Sequence, residues 1–128
     1  MRPNNVEINI AVLHPPASIS ALKLRSWLHY EAGELQQIYG PNSFNIIRLY
    51  LTKRMKFSFP QKKLDALLQS VTDKQKTIFR IDLVTVDVQL DQAGLGEAIE
   101  KAQADREKMA LGTDTFIQMR TGHAGVVR

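Results

Sequence analysis

The longest strand-like run in the chain is the segment 77–90, which reads TIFRIDLVTVDVQL. β-branched and aromatic residues dominate it, and such side chains suit a pleated, half-buried surface. A strongly basic segment precedes this run, and an acidic, helix-prone segment follows it. We therefore expect a central strand around which the other elements are arranged.

Further strands and helices are predicted on both sides of this run. Alternating apolar residues and the density of Ile, Tyr and Phe indicate strands, whereas apolar residues three and four apart indicate helices. A serine before the first helix and Asp91 before the last one are suitable N-caps. The predicted elements are a strand over Val6–Leu13, a helix from Ser18 or Ser20 to Gly40, two strands within Phe44–Phe59 (FNIIRLYL and MKFSF), a helix after Pro60, a helix over Ala93–Leu111 and a short edge strand over Thr115–Arg120.

This order predicts an α+β fold. Strand, helix, strand, strand, helix, strand is the split βαβ order βαββαβ, and it resembles the ferredoxin-like fold, here with an extra C-terminal helix and tail. We expect a mainly antiparallel sheet with helices on one face. If Phe44–Lys56 is helical instead, three helices precede a β element, an outline that resembles a winged-helix DNA binder.

Length and composition set further limits. A chain of 128 residues fits one domain, predicted over 1–120, with 121–128 as a flexible C-terminal tail. The absence of cysteine excludes disulfides, thiolate metal sites and cysteine nucleophiles. No run approaches the ~18 apolar residues of a membrane span, and the N-terminus lacks the apolar core of a secretory signal. We expect a cytoplasmic protein without membrane insertion.

Charge is distributed unevenly along the chain. The segment from Arg48 to Arg80 contains nine basic residues and two acidic ones, Asp65 and Asp73. The segment 82–114 contains eight acidic residues and three basic ones. Clustered Lys and Arg bind phosphate backbones by releasing counterions. The residues predicted to contact nucleic acid are Arg48, Lys53, Arg54, Lys56, Lys62, Lys63, Lys74 and Lys76.

Four aromatic residues are interleaved with these charges: Tyr50, Phe57, Phe59 and Phe79. Exposed aromatic rings on a sheet stack bases in single-strand RNA modules that share the predicted strand order. The sequence signature K/R-G-F/Y-G/A-F-V-x-F/Y of those modules is absent. The interpretation is a small non-enzymatic binding module whose basic face contacts nucleic acid, DNA or RNA. The alternatives are a protein–protein adaptor for an acidic partner and a subunit of a larger assembly.

A second alternative comes from the carboxylates. Asp87-Val88-Gln89 follows Asp73 by fourteen positions, with Thr72 before Asp73. This spacing resembles metal-dependent nucleases of the PD-(D/E)xK type, and the resemblance implies magnesium held by strand-borne acids. No nucleophile–base pair, metal-ligand spacing or intact phosphate loop is otherwise readable. We therefore predict no catalytic residue, no metal site and no cofactor.

The last predicted helix has a thin apolar stripe. It buries little surface by itself, which indicates a partner. Such a helix and an edge strand after it would suit a homodimer or a subunit of an assembly. The predicted oligomer contacts are Ile99, Ala102 and Met109.

Overall fold

The computed structural model describes residues 7–39, 43–75, 78–110 and 117–123. Within these ranges, strands and helices alternate along the chain. The elements are β1 (Glu7–His14), α1 (Ala21–Tyr39), β2 (Ser43–Thr52), α2 (Lys53–Ser58), α3 (Gln61–Asp73), β3 (Ile78–Val86), α4 (Gln92–Ala110) and β4 (Ile117–His123).

The four strands form one parallel sheet in the order β3-β2-β1-β4. Ile10 of β1 lies opposite Ile46 of β2, and Ile47 lies opposite Ile81 of β3. On the other side, β1 pairs with β4, so Ile10 lies opposite Met119. β1 and β2 are thus the inner strands of the described sheet. The segment 77–90, predicted to be central, supplies an edge strand.

The inner strands are buried on both faces, and this explains the layers. Ile8 to His14 are all buried, as is all of β2 except the half-buried Phe44. Parallel strands with such continuous apolar character need helices on both faces of the sheet. One face packs against α1 and α3 through Leu24, Leu28, Leu35, Leu64 and Val71, together with Ala11, Leu13, Ile47, Leu49 and Leu51 from the strands. The other face packs against α4 through Leu95, Ala98 and Ala102, together with Ile10, Val12, Ile46 and Tyr50.

Two expectations about the sheet are wrong. The sheet is parallel rather than mainly antiparallel, and helices cover both of its faces rather than one. The mixture of helices and strands is confirmed, but the ferredoxin-like order is not. The winged-helix alternative is also wrong, because residues 43–52 form a strand rather than a helix.

The cause of the first difference is the segment MKFSF. It was expected to be the second strand of a hairpin, but Lys53–Ser58 is the short helix α2. The Thr52 hydroxyl accepts a hydrogen bond from the Met55 backbone N–H at 3.1 Å, which caps the first turn. Met55 is almost fully buried in the core beneath α1 and α3. A helical turn here sends the chain into α3 and back, so that β3 returns parallel to β2.

Most of the other predicted elements are present. β1 extends to His14, one residue past the predicted end at Leu13, and α1 is one continuous helix over Ala21–Tyr39. The Ser20 hydroxyl accepts from the Lys23 N–H at 3.2 Å, so Ser20 is the cap of α1. β4 continues to His123, past the expected start of the tail. The predicted end of α1 at Gly40 and the tail residues 124–128 lie outside the described residues.

A pair of amides lies within the apolar layer beneath α1. Asn9 and Asn45 are opposite each other in the register of β1 and β2, and neither has any exposed surface. The Asn9 Nδ2 donates to the Asn45 Oδ1 at 2.9 Å. This bond joins the two inner strands side chain to side chain, near their amino ends.

No helix in the described part of the chain combines the length and the apolar character that a membrane crossing requires.

The layer formed by α1 gives a matched test of the fold. Leu28 is completely buried, whereas Leu22 of the same helix is 72% exposed. Leu28→Ala should lower the free energy of unfolding by about 2–5 kcal/mol, because it removes apolar contacts and leaves a cavity. Leu22→Ala should change it by less than about 0.5 kcal/mol. Urea denaturation monitored by circular dichroism measures both values, and similar losses for the two variants would contradict this packing.

Candidate functional site

The parallel topology brings several loops to one edge of the sheet. β1, β2 and β3 end at His14, Thr52 and Val86, and the following segment of each strand leads into α1, α2 or α4. We call this the carboxyl edge. In open parallel sheets, ligands bind in the crevices outside the carboxyl ends of the strands. The side chains at this edge are therefore the first candidates for a functional site.

His14 fixes the geometry of the carboxyl edge. The ring is fully buried, with Nδ1 2.7 Å from the Tyr50 carbonyl oxygen and Nε2 3.0 Å from the Leu90 backbone nitrogen. The Leu90 N–H can only donate, so Nε2 accepts, and the proton on Nδ1 is donated to Tyr50. The imidazole is therefore neutral and joins the ends of β1 and β2 to the segment that precedes α4. This arrangement gives His14 a positioning role rather than a chemical one.

Five basic residues collect at the carboxyl edge. Lys53, Arg54 and Lys56 lie on α2, and Lys62 and Lys63 lie in the first turn of α3. Lys56 is half-buried and the other four are exposed. We call these five residues the edge cluster. They are five of the eight residues that the sequence predicted as a nucleic-acid contact.

The remaining three predicted residues lie elsewhere. Arg48 is buried on β2 and donates from Nη1 to the Asp105 Oδ2 of α4 at 2.9 Å. Lys74 is the C-cap of α3 and lies at the opposite edge of the sheet, because α3 runs back toward the start of β3. Lys76 lies outside the described residues. The structure thus brings together one compact group of cations rather than a continuous basic face.

The helix ends make the carboxyl edge more positive still. None of the four helices carries an acidic residue in its first turn. A helix N-terminus has a partial positive charge, so Lys62 and Lys63 occupy positions that stability alone would give to Asp or Glu. The acidic residue that does lie at a helix N-terminus of this edge is Asp91, which caps α4 by accepting from the Gly94 N–H at 2.8 Å. The first turn of α3 therefore breaks a local stability rule at an exposed position.

One carboxylate opposes the edge cluster directly. The Asp87 Oδ1 is 2.7 Å from the Lys53 Nζ, and both side chains are more than 70% exposed. This hydrogen bond raises the pKa of Lys53 and lowers the pKa of Asp87, so both remain charged near neutral pH. The spacing of acids in the sequence suggests Asp87 as a metal ligand and gives no sign of an ion pair with Lys53. Its role as the partner of Lys53 depends on β2 and β3 being adjacent.

The four aromatic residues of the basic segment separate clearly by exposure. Tyr50 is buried, and Phe59 and Phe79 are packed against the core. Phe57 is 92% exposed and lies on α2 within the edge cluster. Sequence alone treats the four rings alike. Helical spacing would have separated Phe57 from the buried Met55, had the segment been recognised as a helix.

Three open cavities surround α2 and the start of α3. One of about 480 Å³ lies between the β1–α1 segment and α2, lined by Ser18, Ile19, Thr52, Arg54 and Ser58 among others. A neighbouring cavity of about 350 Å³ includes Ser20, Lys63 and Leu64. The third, of about 500 Å³, lies on the other side of α2 and includes Lys53, Lys56 and Phe57. Each contains at least one member of the edge cluster.

The carboxylates of the nuclease-like spacing do not converge. Asp73 ends α3 and accepts from the Gln69 side chain, whereas Asp87 follows the carboxyl end of β3. The nine residues of β3 separate them by roughly 30 Å at about 3.3 Å per residue. Asp82 is paired with Arg80 in the same strand, at 2.8 Å. Among the described residues, no group of three or more metal-ligating side chains is assembled, so these acids do not fit a magnesium site.

The predicted oligomer contacts lie on α4. Ala102 is completely buried against the chain's own sheet and has no surface to offer a partner. Ile99 and Met109 are half-buried and pack against the same core. Their contact with a second chain stays a prediction.

Comparison of the chain with protein-family models, with curated proteins and with solved structures finds no match in any of the three.

The unfavourable charge in the first turn of α3 can be measured by charge reversal. Lys63→Glu should raise the free energy of unfolding by about 1 kcal/mol, because the new carboxylate complements the helix dipole. Lys74→Glu makes the same change at the other end of α3 and should lower the free energy of unfolding by a similar amount. Urea denaturation at low ionic strength measures both, and the two effects should shrink together in high salt. Effects of equal sign would contradict the assigned helix ends.

Proposed function

We propose that this protein is a small non-enzymatic module that binds the phosphate backbone of nucleic acid through the edge cluster. The observation that carries the proposal is the grouping of five basic side chains within eleven positions, on α2 and the first turn of α3. All lie at the edge of a parallel sheet where ligands usually bind. Arg48 and Lys74 are not part of the proposed contact.

The electrostatics of the carboxyl edge support an anionic partner. Lys62 and Lys63 at a helix N-terminus lower stability in the free protein, and a bound polyanion would relieve that repulsion. Local stability rules are broken most often where function requires it. A solvated lysine-rich face without a partner would gain nothing from placing its charges at the positive ends of helices.

Nucleic acid fits this surface because its charge is repeated. Each phosphate that is neutralised releases counterions, and the logarithm of the affinity then falls linearly with the logarithm of the salt concentration. Contact of the edge cluster with about five phosphates gives a slope of roughly −3.5 for single strands and −4.5 for duplex. Phosphate contacts carry no sequence code, so we expect similar affinity across sequences.

The first test removes three charges from α2. The Lys53→Ala, Arg54→Ala, Lys56→Ala triple variant should bind labelled oligonucleotides about tenfold or more weakly at low salt. Its salt slope should be shallower by roughly 2 to 3, since three phosphate contacts are lost. Fluorescence anisotropy over a range of salt concentrations measures both quantities.

The matched control removes three exposed lysines from other surfaces, Lys74, Lys101 and Lys108. The net charge changes equally, so a general effect of protein charge would weaken both triple variants alike. We expect near wild-type slope and affinity for the control. An absence of binding by the unmodified protein to any oligonucleotide at tens of micromolar would end this proposal and favour an adaptor for an acidic protein.

The ion pair of Lys53 provides the opposite test. Asp87→Asn removes the acid that holds the Lys53 ammonium and frees it for a phosphate. We expect affinity to rise about two- to fivefold, since exposed ion pairs are weak. The salt slope should steepen by nearly one unit.

Asp73→Asn is the control for this change, because it removes the same charge from the opposite end of β3. It should leave the salt slope unaltered. An equal gain in both variants would show that net charge, rather than the freed Lys53, determines binding.

A further inference from the structure

The side chain of Phe57 is the least expected feature of the carboxyl edge. It is 92% exposed, the highest exposure among the large apolar side chains of the described residues. It belongs to neither core cluster, although the neighbouring Met55 and Phe59 both pack against the core. Met55 and Phe59 therefore anchor α2 to the core, and the Phe57 ring is exposed to solvent.

The ring lines an open groove that combines apolar and basic side chains. The groove, of about 500 Å³, is bordered by Lys53, Lys56, Phe57, Phe59, Gln61 and Thr85, with Pro60 between α2 and α3. No carboxylate is among these lining residues, although the Asp87 carboxylate outside the groove is 2.7 Å from the Lys53 ammonium. The groove thus combines an aromatic face, two ammonium groups and neutral hydrogen-bonding groups, which are the elements of a platform for single-stranded nucleic acid.

The exposed ring distinguishes between forms of nucleic acid. In a duplex the bases are stacked on each other, so their π-faces are covered and only the base edges and the phosphates are accessible. An unpaired base has a free π-face that an aromatic side chain can cover, whatever the base. A duplex would use the edge cluster but leave Phe57 exposed.

A membrane surface fits the same features less well. Interfacial helices bury a broad apolar face over several turns. α2 has six residues and contributes one exposed apolar side chain, and Lys, Gln and Thr side chains line the groove beside it together with Phe59 and Pro60. The charge and the single ring together favour a nucleic acid strand.

We infer that this groove binds single-stranded nucleic acid, with one base stacked on Phe57 and the adjoining phosphates on Lys53 and Lys56. The inference rests on the proposed function and adds the form of nucleic acid that the site prefers. The unmodified protein should bind a single strand more tightly than a blunt-ended duplex with the same number of phosphates.

The test compares Phe57→Ala with Phe57→Tyr on both ligands, by anisotropy. Phe57→Ala should weaken single-strand binding about tenfold, the usual loss for one base–aromatic contact. It should leave duplex binding and both salt slopes unchanged, because no charge is removed. Phe57→Tyr should retain single-strand affinity. The control Val88→Ala removes another exposed apolar side chain at the same edge, outside the groove, and should have no effect.

The outcomes separate the two proposals. If the α2 triple variant loses binding but Phe57→Ala does not, the edge cluster binds nucleic acid and the stacking inference is overturned. Equal losses on single strand and duplex would also overturn it. If no oligonucleotide binds, both proposals fail. Binding to phosphatidylserine vesicles that depends on Phe57 would then assign the ring to a membrane surface.

Discussion

Burial of β2 on both faces is the constraint from which the rest of the structure follows. A strand with β1 and β3 on its two sides and helices above and below it has no solvated face. Its neighbouring strands are parallel to it, so each connection must run back over a face of the sheet before the next strand begins at the same end. All the crossover helices therefore start at the carboxyl edge. The concentration of loops and helix N-termini at that edge is a consequence of how β2 is buried, and the basic residues of α2 and α3 add their charge there.

Most individual elements could be predicted from sequence, whereas their assembly could not. The strands β1 and β3 and the helices α1, α3 and α4 follow from periodicity and caps. The residues 53–58 could not be assigned, because alternating Met55, Phe57 and Phe59 read as a strand. What decides for helix is the Thr52 cap and the burial of Met55, both of which need the tertiary structure. That one segment changes a hairpin into a crossover, and with it the whole strand order.

The candidate site was predictable in its chemistry but not in its membership. The basic run is visible in the sequence. Arg48 is not part of the candidate site, however, because strand alternation turns its side chain toward Asp105, 57 residues away. Lys74 is not part of the site because it caps the far end of α3, whereas Lys62 lies in the first turn of that helix. Phe57 gains importance only when three similar aromatic rings are seen to be packed inward. Distances in space, rather than composition, decide each of these cases.

The hydrogen-bonded amides of Asn9 and Asn45 have a consequence for how the strands find each other. Either strand's apolar residues would tolerate a shift of two positions, because Ile, Leu and Ala follow on the same face. The shifted pairing would leave two amides buried without each other, and each costs about 1–3 kcal/mol. The observed alignment allows the bond from the Asn9 Nδ2 to the Asn45 Oδ1, although the Asn9 Oδ1 has no hydrogen-bond partner among the described residues, and a shift by two positions would lose that bond. The two asparagines therefore favour one alignment of β1 with β2. The apolar side chains around them stabilise the interior but distinguish poorly between alignments.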